Sequence, residues 1–173
     1  MRNGRVEEQF EYAQRKDIST RDEQRLVDGS LEGFIEVAYP LWLVSRATKS
    51  PKTASASAHK ETVDYKYGHL VRSKTSVLLG FTSIVSSVLE KSIEKSIVYQ
   101  FFDINGVSKA LPAMLETYSI GNGPDRQVMD REILSWIPIV NDHGGVRFEV
   151  EQETEQNFFE QGGGYSVSNT IRL

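Results

Sequence analysis

The segment SVLLGFTSIVSSVLEKSIEKSIVYQFF, residues 76–102, holds the longest apolar concentration in the chain, and its reading decides how the rest is assembled. With Val77 at zero and a step of about 100° per residue, Leu78, Phe81, Ile84, Val85, Val88 and Leu89 fall on one arc with it, while Ser83, Ser86, Ser87, Glu90 and Glu94 lie opposite. Simple alternation sorts worse. It would put Ser83 and Ser87 on the face of Val77, Leu79 and Phe81, and Gly80 and Ser86 on the face of Leu78 and Ile84. The spacing therefore predicts an amphipathic helix over residues 76–95. Gly80 and the β-branched residues lower its intrinsic propensity, so it depends on burial, which stabilises by about 1.5–3 kcal/mol per fully covered apolar side chain. From Ile97 the period changes. Val98, Tyr99, Phe101 and Phe102, followed by Asp103, Ile104, Asn105 and Gly106, read as a strand entering a tight turn, because Asn-Gly supplies the two positive-φ positions of a type I′ hairpin.

Working outward, residues 107–115 form the returning strand, restricted to an edge by Pro112. Residues 120–125, IGNGPD, read as a loop. Val128, Met129, Glu132, Ile133 and Trp136 recur at mostly helical spacing and predict a second helix over 125–136. Two hairpins follow. The first joins 137–140 to Val146, Phe148 and Val150 across Asn141-Asp142-His143-Gly144-Gly145, and the second joins 153–161 to 165–173 across Gly162-Gly163-Gly164.

Towards the N-terminus, Val6, Phe10 and Ala13 in a charged setting predict a short helix or arm over 5–14. Thr20 with Glu23 forms a capping-box pattern for a further helix ending at Gly29. Phe34 to Val44 is apolar but interrupted by Pro40, which predicts two short strand pieces or an edge strand with a bend. Residues 45–60 include KSPKTASASAHK, the composition of a flexible basic loop, and 62–71 alternate as a strand. The expected fold is thus α+β: one domain of mainly antiparallel hairpins packed on one central amphipathic helix. A helical N-terminal arm over 1–29 precedes the domain over 30–173.

Composition narrows the function classes. The 173 residues include no cysteine, which excludes disulfides, thiolate metal sites and thiol catalysis. No apolar run approaches the roughly 18 residues of a membrane-spanning helix, and residues 1–16 lack the hydrophobic centre of a secretory signal. A soluble protein of the cytoplasm or a virion interior is expected. Charge is segregated: residues 46–74 hold seven bases against two acids, a net of +5, whereas residues 116–173 hold ten acids against four bases, a net of -6.

Nothing in the sequence carries reaction chemistry. His59, His69 and His143 have no metal-ligand spacing, and DING at 103–106 fails the calcium-loop template. Ser83, Ser86 and Ser87 lack a nucleophile-elbow setting, and no phosphate-binding glycine motif occurs. A negative charge overall and no recognised nucleic-acid-binding signature argue against that partner, and no cofactor is expected. Opposite charges on separate segments suit pairing between copies. The contacts expected from this are Arg46, Lys49, Lys52 and Lys60 on the basic segment and Glu149, Glu151, Glu153 and Glu155, which share parity, on the acidic one. The expected function is a non-enzymatic, self-associating subunit of a ring, tube or shell, such as a viral or phage particle component, whose partners are itself and neighbouring assembly proteins. The alternative is a small enzyme or ligand-binding domain whose pocket forms only on folding, with His143 or His69 beside carboxylates.

Overall fold

The computed structural model describes residues 6–14, 34–37, 41–51, 60–75, 77–120, 126–158 and 165–171. Among the described residues twelve strands are arranged in two antiparallel sheets, and the only helical element is a single 3₁₀ turn, Leu89–Lys91. The strands are β1 (Val6–Gln14), β2 (Phe34–Glu36), β3 (Trp42–Pro51), β4 (Glu61–Tyr67), β5 (Leu70–Ser73), β6 (Leu78–Phe81), β7 (Ser83–Val88), β8 (Ile93–Ile104), β9 (Val107–Ile120), β10 (Arg126–Val140), β11 (Val146–Phe158) and β12 (Tyr165–Ile171). Nine form the large sheet in the order β1-β3-β4-β7-β8-β9-β10-β11-β12, and β2-β5-β6 form the small one. The architecture is a β-sandwich, and the α+β expectation is overturned.

The central helix is absent because residues 76–102 are not one periodic element. The chain leaves β6 at Phe81, crosses between sheets at Thr82 and enters β7 at Ser83, so its alternation changes partners midway. Sampled across that break, two strands imitate a helical arc. Gly80, at φ +124°, adopts a conformation that no helix accommodates, and the β-branched Val77, Thr82, Ile84, Val85 and Val88 favour strands.

The helix expected over 125–136 fails for a related reason. Strand β10 carries register shifts between Val128 and Asp130 and between Ser135 and Trp136. The first leaves Met129 as an extra residue in β10, and alternation so interrupted resembles a 3.6-residue period, while the second leaves its extra residue, Glu151, in β11. The N-terminal segment is likewise a strand, β1, paired with β3. The helix expected to end at Gly29 lies outside the described residues, as does Pro40. The basic loop begins later than expected: β3 continues to Pro51, and 52–59 lie outside the described residues.

The turns follow their residues. Asn105 (φ 51°) and Gly106 (φ 77°) form the β8–β9 turn with both central φ values positive, as a type I′ hairpin requires. In the β10–β11 turn the Asn141 side chain accepts the backbone N–H of His143 (3.1 Å) and Gly145 (2.7 Å). Pro112 is tolerated in β9, nominally an interior strand, because the last β9–β10 pair is Met114↔Ile133 and a register shift lies beside the Tyr99↔Pro112 pair. Pro112 is thus locally at an edge, where no ladder donor is missed.

The core sits between the sheets and along the middle of the large one. Val37, Leu70, Val71, Ser73, Thr82, Val85, Val98, Phe101, Ala113, Glu116 and Tyr118 are buried. Ring contacts Phe34–Phe101 (5.8 Å) and Tyr67–Phe81 (4.8 Å) join the small sheet to the Tyr67 and Phe101 face of the large sheet. The chain passes between sheets at Gly68–His69 and again at Thr82, and these corners are bonded together. Gly68 N–H donates to Ser83 O (2.8 Å), Thr82 N–H to His69 O (2.8 Å) and His69 N–H to Thr82 Oγ1 (2.9 Å). A Cβ on Gly68 would stand 2.3 Å from Thr82 Oγ1 and 2.9 Å from the Ser83 backbone nitrogen, so only glycine lets the corners approach this closely.

Candidate interaction surface

The large sheet is unevenly covered. Every residue described as buried lies between Val37 and Tyr118, and no residue of β10, β11 or β12 whose burial is described is buried. Strand β12 is exposed from Ser166 through Ile171. Exposed apolar side chains in this half include Ile133, Val140, Val167 and Ile171. The β10–β11 hairpin is anchored at its far end, where Phe148 packs on Phe102 (ring centroids 5.0 Å) beneath Lys109 and Trp136 Nε1 donates to Pro112 O (2.6 Å). Strand β12 has no such cover among the described contacts.

A row of polar side chains ties the packed half to this open half. Cross-strand pairs Glu11↔Arg46, Arg46↔Asp64, Ser87↔Glu94, Glu94↔Tyr118 and Glu116↔Arg131 place these residues on one face of the large sheet. Arg46 donates through Nε (2.6 Å) and a terminal nitrogen (3.1 Å) to the two oxygens of Asp64, and Glu11 stands 3.9 Å away. Hydrogen bonding to Asp64 raises the Arg46 pKa further above its ordinary value. Ser87 donates to Glu94 (3.2 Å).

At the junction, the buried carboxylate of Glu116 accepts Tyr118 Oη–H (2.5 Å) on one oxygen and Arg131 on the other (2.7 Å). Arg131 also lies over the ring of Phe158 (5.8 Å), which stands opposite Tyr165 of β12. Burying a carboxylate is costly unless it is paired and hydrogen-bonded, and these donors meet that requirement. No buried side-chain nitrogen or oxygen among the described residues lacks a partner.

The opposite face of β10–β11 is acidic. Glu132 stands directly opposite Glu155, with Glu153 opposite Leu134 and Asp130 opposite Asn157. Partial burial, together with the charges of Glu153, Glu155 and Asp130, raises the Glu132 pKa above the ordinary carboxylate value.

The residues expected to make contacts between copies are thus dispersed. Arg46 and Lys49 are in strand β3, not in a loop, and pair within the chain, Lys49 with Glu8 (3.3 Å). Lys60 is exposed beside Glu90, and Lys52 lies outside the described residues. The four glutamates do not share a face. An extra residue, Glu151, sits between the pairs Trp136↔Val150 and Ser135↔Gln152, so Glu149 follows Ile137 while Glu153 and Glu155 follow Leu134 and Glu132. Glu149 pairs with Arg147 (3.1 Å). The segregated charge in the sequence partly reflects β1 and β3 neutralising each other in one sheet. Sequence reasoning missed Glu116, Tyr118 and Arg131, whose cross-strand meeting depends on the β9–β10 register.

The histidines do not converge. His69 Nδ1 pairs with Glu36, His143 is in the exposed turn, and His59 lies outside the described residues. Among the described residues no group of three or more histidines and carboxylates could hold a metal ion. A notch near the β10–β11 turn, lined by Ile139, Asn141, Gly145, Val146 and Arg147, includes neither His143 nor a carboxylate among its described lining residues. No described helix is long and apolar enough to cross a membrane. Comparison with known proteins found no matching family model, no matching curated protein and no matching solved structure. Neither relatives nor fold support the narrower expectation of a viral or phage particle component.

Proposed function

We propose that this chain is a non-enzymatic, self-associating structural subunit, whose β10–β12 half is completed by neighbouring copies to build a closed ring, tube or shell. The observation that carries this reading is the contrast within one continuous sheet. Strands β3, β7, β8 and β9 of that sheet contribute buried residues, whereas β10–β12 extend beyond them with exposed Ile133, Val167 and Ile171 and no buried residue among those described. A sheet gains stability by covering at least one face, and an uncovered edge with apolar side chains presents both hydrogen-bonding groups and apolar area to another chain. The buried Glu116–Arg131 pair supports the same reading, since it fixes the root of β10 to the packed half and so presents the outer strands in a set direction.

Native mass spectrometry of the purified chain tests this function. Multiples of the subunit mass are expected, with electron microscopy resolving a closed or repeating particle. A monomer at every concentration up to the solubility limit overturns the reading.

A further inference from the structure

The two edges of the large sheet differ. Strand β1, VEEQFEYAQ, carries Glu7, Glu8 and Glu11, and its pairing with β3 has a register shift between Glu11 and Tyr12. Charges and bulges are the devices by which sheet edges avoid pairing with other chains. Strand β12, YSVSNTI, has no charged residue, no proline and no glycine, and its seven pairs with β11 run without a register shift. It ends the strand order, so its outer backbone groups meet no described strand.

From this asymmetry we infer that β12 is the self-association edge, pairing antiparallel with β12 of a second copy about a two-fold axis at Ser168. The inference rests on the self-associating reading above and specifies its interface. In this register Ser168 faces Ser168, Val167 faces Asn169, Ser166 faces Thr170 and Tyr165 faces Ile171. No charge meets a like charge. The same operation on β1 would bring its glutamates close together. Pairing two β12 edges is isologous, so the two nine-stranded sheets continue into each other and both β12 edges are consumed at once, giving a dimeric unit that further contacts would assemble into the ring, tube or shell. Ile171, at 65% exposure, comes opposite Tyr165 of the second copy, and Val167, at 46%, lies diagonal to its Val167 and Ile171.

The absence of cysteine from the chain makes the axis testable by single thiols. Residues facing each other across an antiparallel pair have Cα atoms about 4.5–5.5 Å apart, within the reach of a disulfide. Ser168→Cys is therefore expected to oxidise to a covalent dimer. Ser166→Cys, whose counterpart across the axis lies about 13 Å away along the strand, remains uncrosslinked under the same conditions. The double variant Val167→Lys/Asn169→Lys sets lysine against lysine at both off-axis pairs and halves the native mass of the dimeric unit. Mixing it with Val167→Glu/Asn169→Glu restores that mass, which also shows that the charged chains are folded.

Association that persists while Ser168→Cys stays uncrosslinked and the lysine variant retains its mass overturns the β12 interface but leaves self-association standing. Crosslinking through Gln9→Cys on β1 in place of Ser168→Cys overturns it as well. A wild-type chain that is monomeric throughout defeats both the interface and the self-associating reading.

Discussion

Val71 and Val167 are the same residue type in strands of the same molecule, yet Val71 is fully buried and Val167 is 46% exposed. The first lies in β5, the middle strand of the small sheet, with Leu70 and Ser73 also buried beside it. The second lies in β12, at the far edge of the large sheet. The described buried residues all lie in one part of the protein, whereas β10–β12 complete a hydrogen-bonded ladder that buries none of those described. Stability and association should therefore respond to different residues.

The largest effect belongs to the packed half. Leu70→Ala removes a side chain that is 2% exposed and is expected to lower unfolding stability by about 2–5 kcal/mol in chemical denaturation, with the cavity adding to the lost transfer energy. Ile171→Ala, from the open half, should change the stability of the isolated subunit by no more than about 0.5 kcal/mol while weakening association. Equal destabilisation by the two would erase the distinction.

Next is the junction between the halves. Glu116→Gln leaves Arg131 without its carboxylate, and removal of one partner from a buried ion pair costs about 3–5 kcal/mol. Arg131 is 28% exposed, so water compensates in part and a loss of about 2–3 kcal/mol is expected by the same assay. Faster hydrogen exchange at the root of β10, compared with β5, would show that the junction holds the two halves in register.

A gain is expected on the acidic face. Glu132 has a raised pKa because it is partly buried beside Glu153, Glu155 and Asp130. For an acid whose folded pKa exceeds its unfolded value, the folded state binds the proton more tightly. The penalty is therefore present at neutral pH and is relieved as pH falls through the raised value. Glu132→Gln should raise the thermal midpoint at pH 7, and the difference from wild type should shrink on acidification towards the unfolded carboxylate pKa. A variant less stable than wild type at pH 7 would contradict the assigned cause. The smallest effect is expected from Arg46→Met, since its pair with Asp64 is solvent-accessible, and no resolvable change in denaturant midpoint should follow at physiological salt.

The hairpins were legible in the sequence where backbone chemistry dictates them. Asn105-Gly106 supplies the two positive φ values, and the Asn141 side chain closes the following turn. The apolar segment around Pro40 was legible only in part, since β2 is short but β3 runs ten residues, Trp42–Pro51, into the expected loop. What misled was periodicity read through interruptions: Thr82 marks a change of sheet, and the bulge at Met129 shifts the phase of β10 as that at Glu151 shifts β11. Neither leaves a strong composition signal. The Glu116, Tyr118 and Arg131 cluster was illegible for another reason, because it depends on which residues of β9 and β10 stand opposite each other. Charge segregation was visible in the sequence, but the pairing of Arg46 and Lys49 with acids of the same chain required the β1–β3–β4 order.

Hydrogen exchange resolved to individual amides of β12, at a concentration where the chain associates, tests the central contrast most directly. A strand at a free edge has every second amide directed outward and unbonded, so those amides exchange freely. Strand β12 is predicted to be protected on both sides in the wild-type chain and to lose its outward protection in the Val167→Lys/Asn169→Lys variant, while β5 is unchanged. Freely exchanging outward amides in the associated wild-type chain would contradict the account.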